Sequence, residues 1–168
     1  MIGLLVGVIT SPHFFQVMLK TLCVLHKLMR DGDTRFKDVL TQHTYVFNVA
    51  HFQPGDTPEA WEFADLIRQY AEYLEERVCQ YREQRSRRED KAFKDMSVNE
   101  IVGIITGYVR CLEMMGRVDM KRHHLSNPAA VTSLSYILKD AFSVYRTCVE
   151  GITAMLGMYC GYCLPCIY

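Results

Sequence analysis

The segment that decides the fold is MLKTLCVLHKLMRDGD, at residues 18–33. Its apolar residues recur at helical spacing, which predicts a helix over residues 13–30 with one broad buried face. The predicted buried residues of this helix are Phe15, Met18, Leu19, Leu22, Leu25, His26 and Met29. Gly32 suits the left-handed conformation that ends many helices. The segment therefore predicts a helix that packs one side into a core, with His26 as a hydrogen-bonded core histidine.

The opposite side of this helix is basic. His13, Lys20 and Lys27 follow each other at intervals of seven residues, so they stack along one side, and Arg30 flanks them. Such a stripe can hold an inositol phosphate or an anionic membrane surface, where each Lys or Arg contributes about 1 kcal/mol. Charge stripes are also usual on solvated helix faces, and this alternative stays open. We predict Lys20, Lys27 and Arg30 as lipid head-group ligands.

Composition limits the function classes. The 168 residues fit one domain, and 49% hydrophobic residues are enough for a core. Lys+Arg and Asp+Glu both number 19, so the chain has no overall basic field and we predict no nucleic-acid partner. The apolar start MIGLLVGVIT is shorter than the roughly 20 residues that a membrane span needs. Cys23, Cys79, Cys111 and Cys148 are scattered singly, which is typical of buried thiols in a reducing compartment.

The rest of the chain also has helical periodicity. We predict a short helical piece at residues 34–47, a loop at 51–56, and helices that begin near Thr57, Ser97 and Ser126. Ser97 and Glu100 form a capping box. The predicted core of the second long helix is Trp61, Ala64, Ile67, Ala71, Leu74, Val78 and Tyr81. The predicted core face of the last helix, to Leu156, is Val131, Leu134, Leu138, Ala141, Tyr145, Cys148, Ile152 and Met155. No segment alternates like a strand, so the fold class is all-α.

Three segments together resemble the ANTH domain of the clathrin-assembly proteins, which are endocytic adaptors. The first, LKTLCVLHKLMRDGDTRFKDVL at 19–40, is similar to a helix and turn in which Lys-Thr/Ser-Leu leads through a His to Arg-x-Gly-Asp. The second is VFNVAHF with WEFADLIRQYAEYLEERVCQYR, which carries the Arg-x-Tyr-x-x-Tyr-Leu-x-Glu-Arg pattern from Arg68 to Arg77. The third, SYILKDAFSVYRTCVEGITAMLG at 135–157, is similar to a Lys-Asp helix that ends in Gly-Ile.

The resemblance implies a fold, a function and a location. The fold is a solenoid or bundle of stacked antiparallel helices over residues 11–157. The function is binding of phosphoinositide membranes, above all phosphatidylinositol 4,5-bisphosphate, and assembly of clathrin in endocytosis, without catalysis or a cofactor. Clathrin, endocytic adaptors and vesicle SNARE proteins are the implied partners. The implied location is the cytoplasm, peripheral at the plasma membrane, in coated pits and coated vesicles.

The sequence departs from the family pattern at both ends. The family's domain begins with two further helices whose lysines and a histidine grip the lipid phosphates, whereas residues 1–10 here are apolar and the first lysine is Lys20. We therefore expect a domain incomplete at both ends, with Val17, Val24 and Leu28 uncovered. The family continues with further helices, whereas residues 158–168 here form a cysteine-rich tail.

Two alternatives to a lipid-binding adaptor remain. One is a lipid-independent scaffold of stacked helices that binds partner proteins through exposed apolar positions. The other rests on the C-x-x-C-x-x-C pattern of Cys160, Cys163 and Cys166, which can supply three thiolates to zinc or an iron–sulfur cluster. No fourth ligand is evident nearby, and we predict no metal. None of the common catalytic motifs occurs, so we predict that the chain is not an enzyme.

Overall fold

The computed structural model describes residues 14–50, 52–54, 57–86 and 92–163, with side chains described as far as residue 160. The described residues form the α-helices α1 (Phe14–Asp31), α2 (Thr34–Gln42), α3 (Pro58–Ser86), α4 (Val98–Arg117) and α5 (Pro128–Cys163). Short 3-10 helices lie at Thr44–Phe47, Phe93–Asp95 and Arg122–Ser126. These residues contain no strand, which confirms the all-α prediction. None of the described helices combines the length and hydropathy needed to span a bilayer. The predictions for residues 1–10 and for His13 lie outside the described residues.

Helix α3 is the centre of the stack. It packs against α1, α2 and α4, so it is buried around most of its circumference. Its buried residues include Phe63, Ala64, Leu66, Ile67, Tyr70, Ala71, Tyr73, Leu74 and Val78. The prediction for Trp61 was wrong, because Ala60 and Phe63 face the core in the first turn and leave Trp61 59% exposed.

Helices α3 and α4 are antiparallel. The register of their contacts shows this, because Arg110 binds Glu76 at 3.0 Å while Gly107 lies against Gln80, one turn further along α3. The N-terminus of α4 is fixed by the predicted capping box, in which the backbone N–H of Ser97 donates to Glu100 at 2.7 Å. The antiparallel stacking of these two helices agrees with the arrangement that the family resemblance implies, and the cap at Ser97 is as the sequence predicted.

Gly32 ends α1 in a way that the sequence did not predict. Its backbone is outside the left-handed region, and its N–H donates to the Leu28 carbonyl at 2.9 Å. A Cβ at this position would lie 2.3 Å from the same carbonyl oxygen, so glycine is needed here for space. Asp33 then caps α2 by accepting from the Arg35 N–H at 2.9 Å. The tight turn between α1 and α2 thus depends on a missing side chain and an Asp cap.

The predicted core face of α5 was right at Cys148 and, in part, at Ala141, which packs against the core, and was otherwise wrong by about one residue of rotation. Its buried stripe includes Ala130, Ser133, Ile137, Asp140, Val144, Cys148 and Gly151. Because Ser133, Asp140 and Gly151 are not large apolar residues, the apolar periodicity selected the neighbouring face. Val131, Leu138, Tyr145 and Ile152 belong to that neighbouring face and are exposed. The helix also continues past Leu156, to Cys163.

Candidate functional site

The outer face of α1 carries two of the three predicted head-group ligands. Lys20 and Lys27 are both exposed, and their spacing of seven residues separates them by about 10 Å along the helix axis. Val17, Val24 and Leu28 lie between and beside them and are also exposed, as predicted from the sequence. Neither lysine has an ion pair among the described residues. The α1 outer face, defined by these five residues, therefore combines free positive charge with aliphatic surface.

The structure places Arg30 elsewhere. One guanidinium nitrogen of Arg30 lies 3.2 Å from Asp140 Oδ1 and donates to the carbonyl oxygen of Tyr136 at 3.2 Å. The side chain is three-quarters buried by these contacts. Arg30 is thus turned towards α5 and is separated from Lys20 and Lys27. The head-group role of the three residues stays a prediction, and the geometry favours the two lysines.

Behind the α1 outer face lies a buried polar cluster of four residues: His26, Tyr70, Tyr73 and Asp140. His26 Nε2 lies 2.9 Å from Asp140 Oδ2, and His26 Nδ1 lies 2.8 Å from the Tyr70 hydroxyl. The Tyr73 hydroxyl donates to the same Asp140 oxygen at 2.6 Å. His26 is 1% exposed and has a partner on each ring nitrogen, which confirms the prediction of a hydrogen-bonded core histidine. The cluster ties α1, α3 and α5 together.

The charges of the cluster follow from its surroundings. Burial raises the pKa of Asp140, but the His26 hydrogen bond and the Arg77 charge outweigh this effect and lower the pKa to about 2. Burial lowers the pKa of His26, and this outweighs the hydrogen bond to Asp140. At neutral pH His26 is therefore uncharged, its Nε2–H donates to the Asp140 carboxylate, and its Nδ1 accepts from Tyr70.

The buried cluster has a structural role, because it joins three helices through hydrogen bonds. All four side chains belong to the core, and their polar atoms are used by one another or by Arg30 and Arg77. Sequence reasoning did not assemble this cluster. A signal was present, because residues 70, 73 and 77 share one face of α3, and Asp140 is an isolated acid within an apolar stretch of α5.

The described residues contain no group of three or more metal-binding side chains. Cys160 is exposed on α5, whereas the side chains of Cys163 and Cys166 lie outside the described residues. His124 is buried, and its Nε2 lies 3.1 Å from the Glu62 carbonyl oxygen, which fits a structural role.

Comparison with known proteins decides the family. The family model described as ANTH domain matches residues 4–161, nearly the whole chain. The chain belongs to the ANTH domain family. This match contains the stretch 11–157 over which the sequence resembles the family, and the all-helical architecture agrees with it.

Relatives of this ANTH chain are clathrin assembly proteins from plants and animals. An Arabidopsis thaliana protein described as a clathrin assembly protein is 29% identical over 163 residues, covering 86% of this chain and 23% of the relative. The phosphatidylinositol-binding clathrin assembly protein of Homo sapiens is 23% identical over 156 residues, covering 89% of this chain and 24% of the relative. The Drosophila melanogaster protein of that description is 22% identical over 161 residues, covering 85% of this chain and 34% of the relative. The chain thus spans between about a quarter and a third of the length of these curated relatives.

Proposed function

We propose that this chain is the membrane-binding module of a clathrin-assembly adaptor that acts in clathrin-mediated endocytosis. Membership of the ANTH family supports the adaptor role, and relatives named as phosphatidylinositol-binding clathrin assembly proteins support a phosphoinositide as the ligand. The module binds without catalysis or a cofactor. Its protein partners are clathrin, endocytic adaptors and vesicle SNARE proteins, and it works at the cytoplasmic side of the plasma membrane in coated pits and vesicles.

The observation that carries this proposal is the α1 outer face. Lys20 and Lys27 present ammonium groups that are not neutralised by a described acid, so they are free to contact lipid phosphates. The aliphatic side chains of Val17, Val24 and Leu28 can enter the boundary between head groups and acyl chains. A surface of this composition suits a membrane interface with anionic lipids, and phosphatidylinositol 4,5-bisphosphate carries more negative charge per head group than phosphatidylserine or phosphatidylinositol does.

Vesicle co-sedimentation tests the proposal. The whole chain is mixed with phosphatidylcholine vesicles that contain or lack phosphatidylinositol 4,5-bisphosphate, at low and moderate salt. We expect lipid-dependent, salt-sensitive pelleting. The Lys20→Gln/Lys27→Gln variant should bind about 30-fold more weakly, because each lysine near an anionic surface contributes about 1 kcal/mol.

The matched control is Lys94→Gln/Lys121→Gln, which removes the same charge from exposed positions outside α1. It should pellet almost as well as the unchanged chain. Equal loss in the two double variants, or pelleting that does not depend on the phosphoinositide, would show that the α1 outer face is not the lipid site.

A scaffold function is the second candidate, because α5 has a long exposed apolar face. Leu138, Phe142, Tyr145, Val149 and Ile152 are all exposed on it, and Phe142 is 75% exposed. Partner helices bind to such faces through apolar contacts, which salt does not weaken. Capture of purified clathrin or adaptor by the chain, unaffected by salt and by Lys20→Gln/Lys27→Gln, would favour this second function.

A further inference from the structure

A second basic site lies inside the helical stack, apart from the α1 outer face. It is a cavity of about 130 Å³ to which all five α-helices contribute. Its floor is formed by buried groups that include His26 and Leu40, and half-buried Lys37 and Gln84 line it nearer to the surface. A water molecule needs about 10–15 Å³ of such volume, so the cavity has room for several water-sized groups or one tetrahedral oxyanion.

The walls of this cavity carry an excess of positive charge. Arg30, Lys37 and Arg77 line it together with a single acid, Asp140. Both arginines already contact Asp140, at 3.2 and 3.4 Å, and that carboxylate is shared with the buried cluster. Lys37 has no ion pair among the described residues. Two positive charges therefore remain without a balancing negative charge at the cavity.

Gln80 gives independent evidence that a hydrogen-bond acceptor belongs in the cavity. It is 3% exposed and lines the cavity, and its Oε1 accepts from Arg77 Nη1 at 3.0 Å. Its Nε2 is buried and has no hydrogen-bond acceptor among the residues that the structure describes. Exchanging the two amide atoms would place an N–H against the Arg77 donor, so the amide orientation is fixed by Arg77. Buried donors without an acceptor are rare in folded proteins and commonly mark the place of a water or an ion.

We propose that this cavity binds the phosphate group of a small phosphorylated ligand. Arg30, Lys37 and Arg77 supply the positive charge, and Gln80 Nε2 supplies a neutral donor on the wall. Guanidinium groups suit phosphate because their N–H groups form parallel hydrogen bonds to two oxygens. The apolar walls provided by Met29, Leu40 and Val78 lower the local dielectric and strengthen these contacts. The site does not depend on the function proposed for the α1 outer face.

Calorimetric titration of the whole chain tests the cavity. The probes are inorganic phosphate and inositol 1,4,5-trisphosphate, at low ionic strength. Lys37→Gln removes one unpaired charge, and Gln80→Glu replaces the free donor by a carboxylate while it keeps an acceptor for Arg77. We expect the dissociation constant for either probe to rise at least about tenfold in Lys37→Gln, and saturable binding to disappear in Gln80→Glu. Lys94→Gln, which removes a charge far from the cavity lining, should bind as the unchanged chain does.

Vesicle co-sedimentation of Lys37→Gln distinguishes a lipid head group from a free phosphate compound as the ligand of the cavity. If a lipid head group enters the cavity, Lys37→Gln also weakens pelleting with phosphatidylinositol 4,5-bisphosphate vesicles. If a free phosphate compound enters, pelleting is unchanged and only the titration responds. Thermal unfolding with and without 10 mM phosphate checks that each variant is folded, and binding to the native cavity should raise the Tm of the unchanged chain. Absence of saturable binding in the unchanged chain, or equal binding by Lys37→Gln and Lys94→Gln, would overturn the proposal and leave a cavity that holds water.

Discussion

The Nε2 of His26 lies 2.9 Å from Oδ2 of Asp140, although the two residues are 114 positions apart in the sequence. This contact joins α1 to α5 across the side of α3 that carries Tyr73. Because Asp140 is anionic and His26 is neutral, the contact is a hydrogen bond to a carboxylate whose charge is balanced by Arg30 and Arg77. Asp140 thus contacts side chains of both α1 and α3 and helps to hold α5 against them.

Replacement of Asp140 by asparagine should destabilise the chain strongly. Asp140→Asn removes the one negative charge that two arginines contact and leaves fewer acceptor sites for His26 and Tyr73. Breaking a buried charge pair in this way costs about 3 kcal/mol. Urea unfolding followed by circular dichroism measures the loss. Asp65→Asn, whose carboxylate pairs with Arg68 at the surface, is the matched control and should leave the free energy of unfolding unchanged.

Acidification should destabilise the fold in two steps. The folded-state pKa of His26 is below its ordinary value of 6.5, so the unfolded chain binds the proton more readily and stability falls as the pH drops below about 6.5. The pKa of Asp140 is lowered from 3.8 to about 2, so its contribution to the free energy of unfolding, about 2 kcal/mol, is complete above about pH 5 and is lost as the pH falls towards 2.

Urea unfolding at pH 7.5, 5.5 and 3.5 measures these steps. His124 adds to the first step because burial also lowers its pKa. The His26→Gln variant should therefore lose less free energy of unfolding between pH 7.5 and 5.5 than the unchanged chain does, although it is less stable at both. If the free energy of unfolding falls by the same amount in the variant and in the unchanged chain between pH 7.5 and 5.5, the inferred titration of His26 is wrong.

Helical periodicity correctly predicted those features that depend on the sequence of a single helix. The buried face of α1, the exposure of Lys20 and Lys27, and the Ser97 cap all follow from spacings of three to seven residues. Arg30 shows where this reasoning ends, since it turns inward to Asp140 and the Tyr136 carbonyl, which are more than 100 positions away. No local pattern contains that information.

The face of α5 was mispredicted for a related reason. Apolar periodicity assumes that the core is apolar, but Asp140 and Ser133 are buried because other groups satisfy them. Gly151 is buried because Ile101 and Ile105 of α4 occupy the space beside it, at 3.3 and 3.1 Å from an added Cβ. The cavity beside Gln80 arises from the gap between helices and likewise has no signature along the sequence.

Substitution of Gly32 should be costly even though its backbone is not left-handed. In Gly32→Ala the new methyl group would lie 2.3 Å from the Leu28 carbonyl oxygen, so the end of α1 must shift. We expect a loss of about 1–3 kcal/mol in the free energy of unfolding. Gly157→Ala is the control, because nothing lies within 4 Å of its added Cβ on α5. That variant should gain about 0.5–1 kcal/mol from helix propensity. A gain of similar size in Gly32→Ala would contradict the steric explanation.

The exposed apolar face of α5 should cause the chain to associate. Leu138 and Phe142 are exposed one turn apart on a face that continues to Tyr159, and exposed apolar surface of this extent favours self-association. Size-exclusion chromatography with light scattering should show a mass that rises with concentration. In Leu138→Glu/Phe142→Glu the association constant should fall at least tenfold, since each large side chain contributes about 1.5–3 kcal/mol when it is buried.

Val102→Glu/Val109→Glu is the matched control for this association. Its two valines are exposed on α4, so the substitution adds the same charge to a second helix without touching the apolar face of α5. Its association should remain close to that of the unchanged chain. A constant monomer mass at all concentrations would show that the exposed face of α5 does not cause self-association. An equal effect of both double variants would show that added negative charge, rather than the α5 face, controls association.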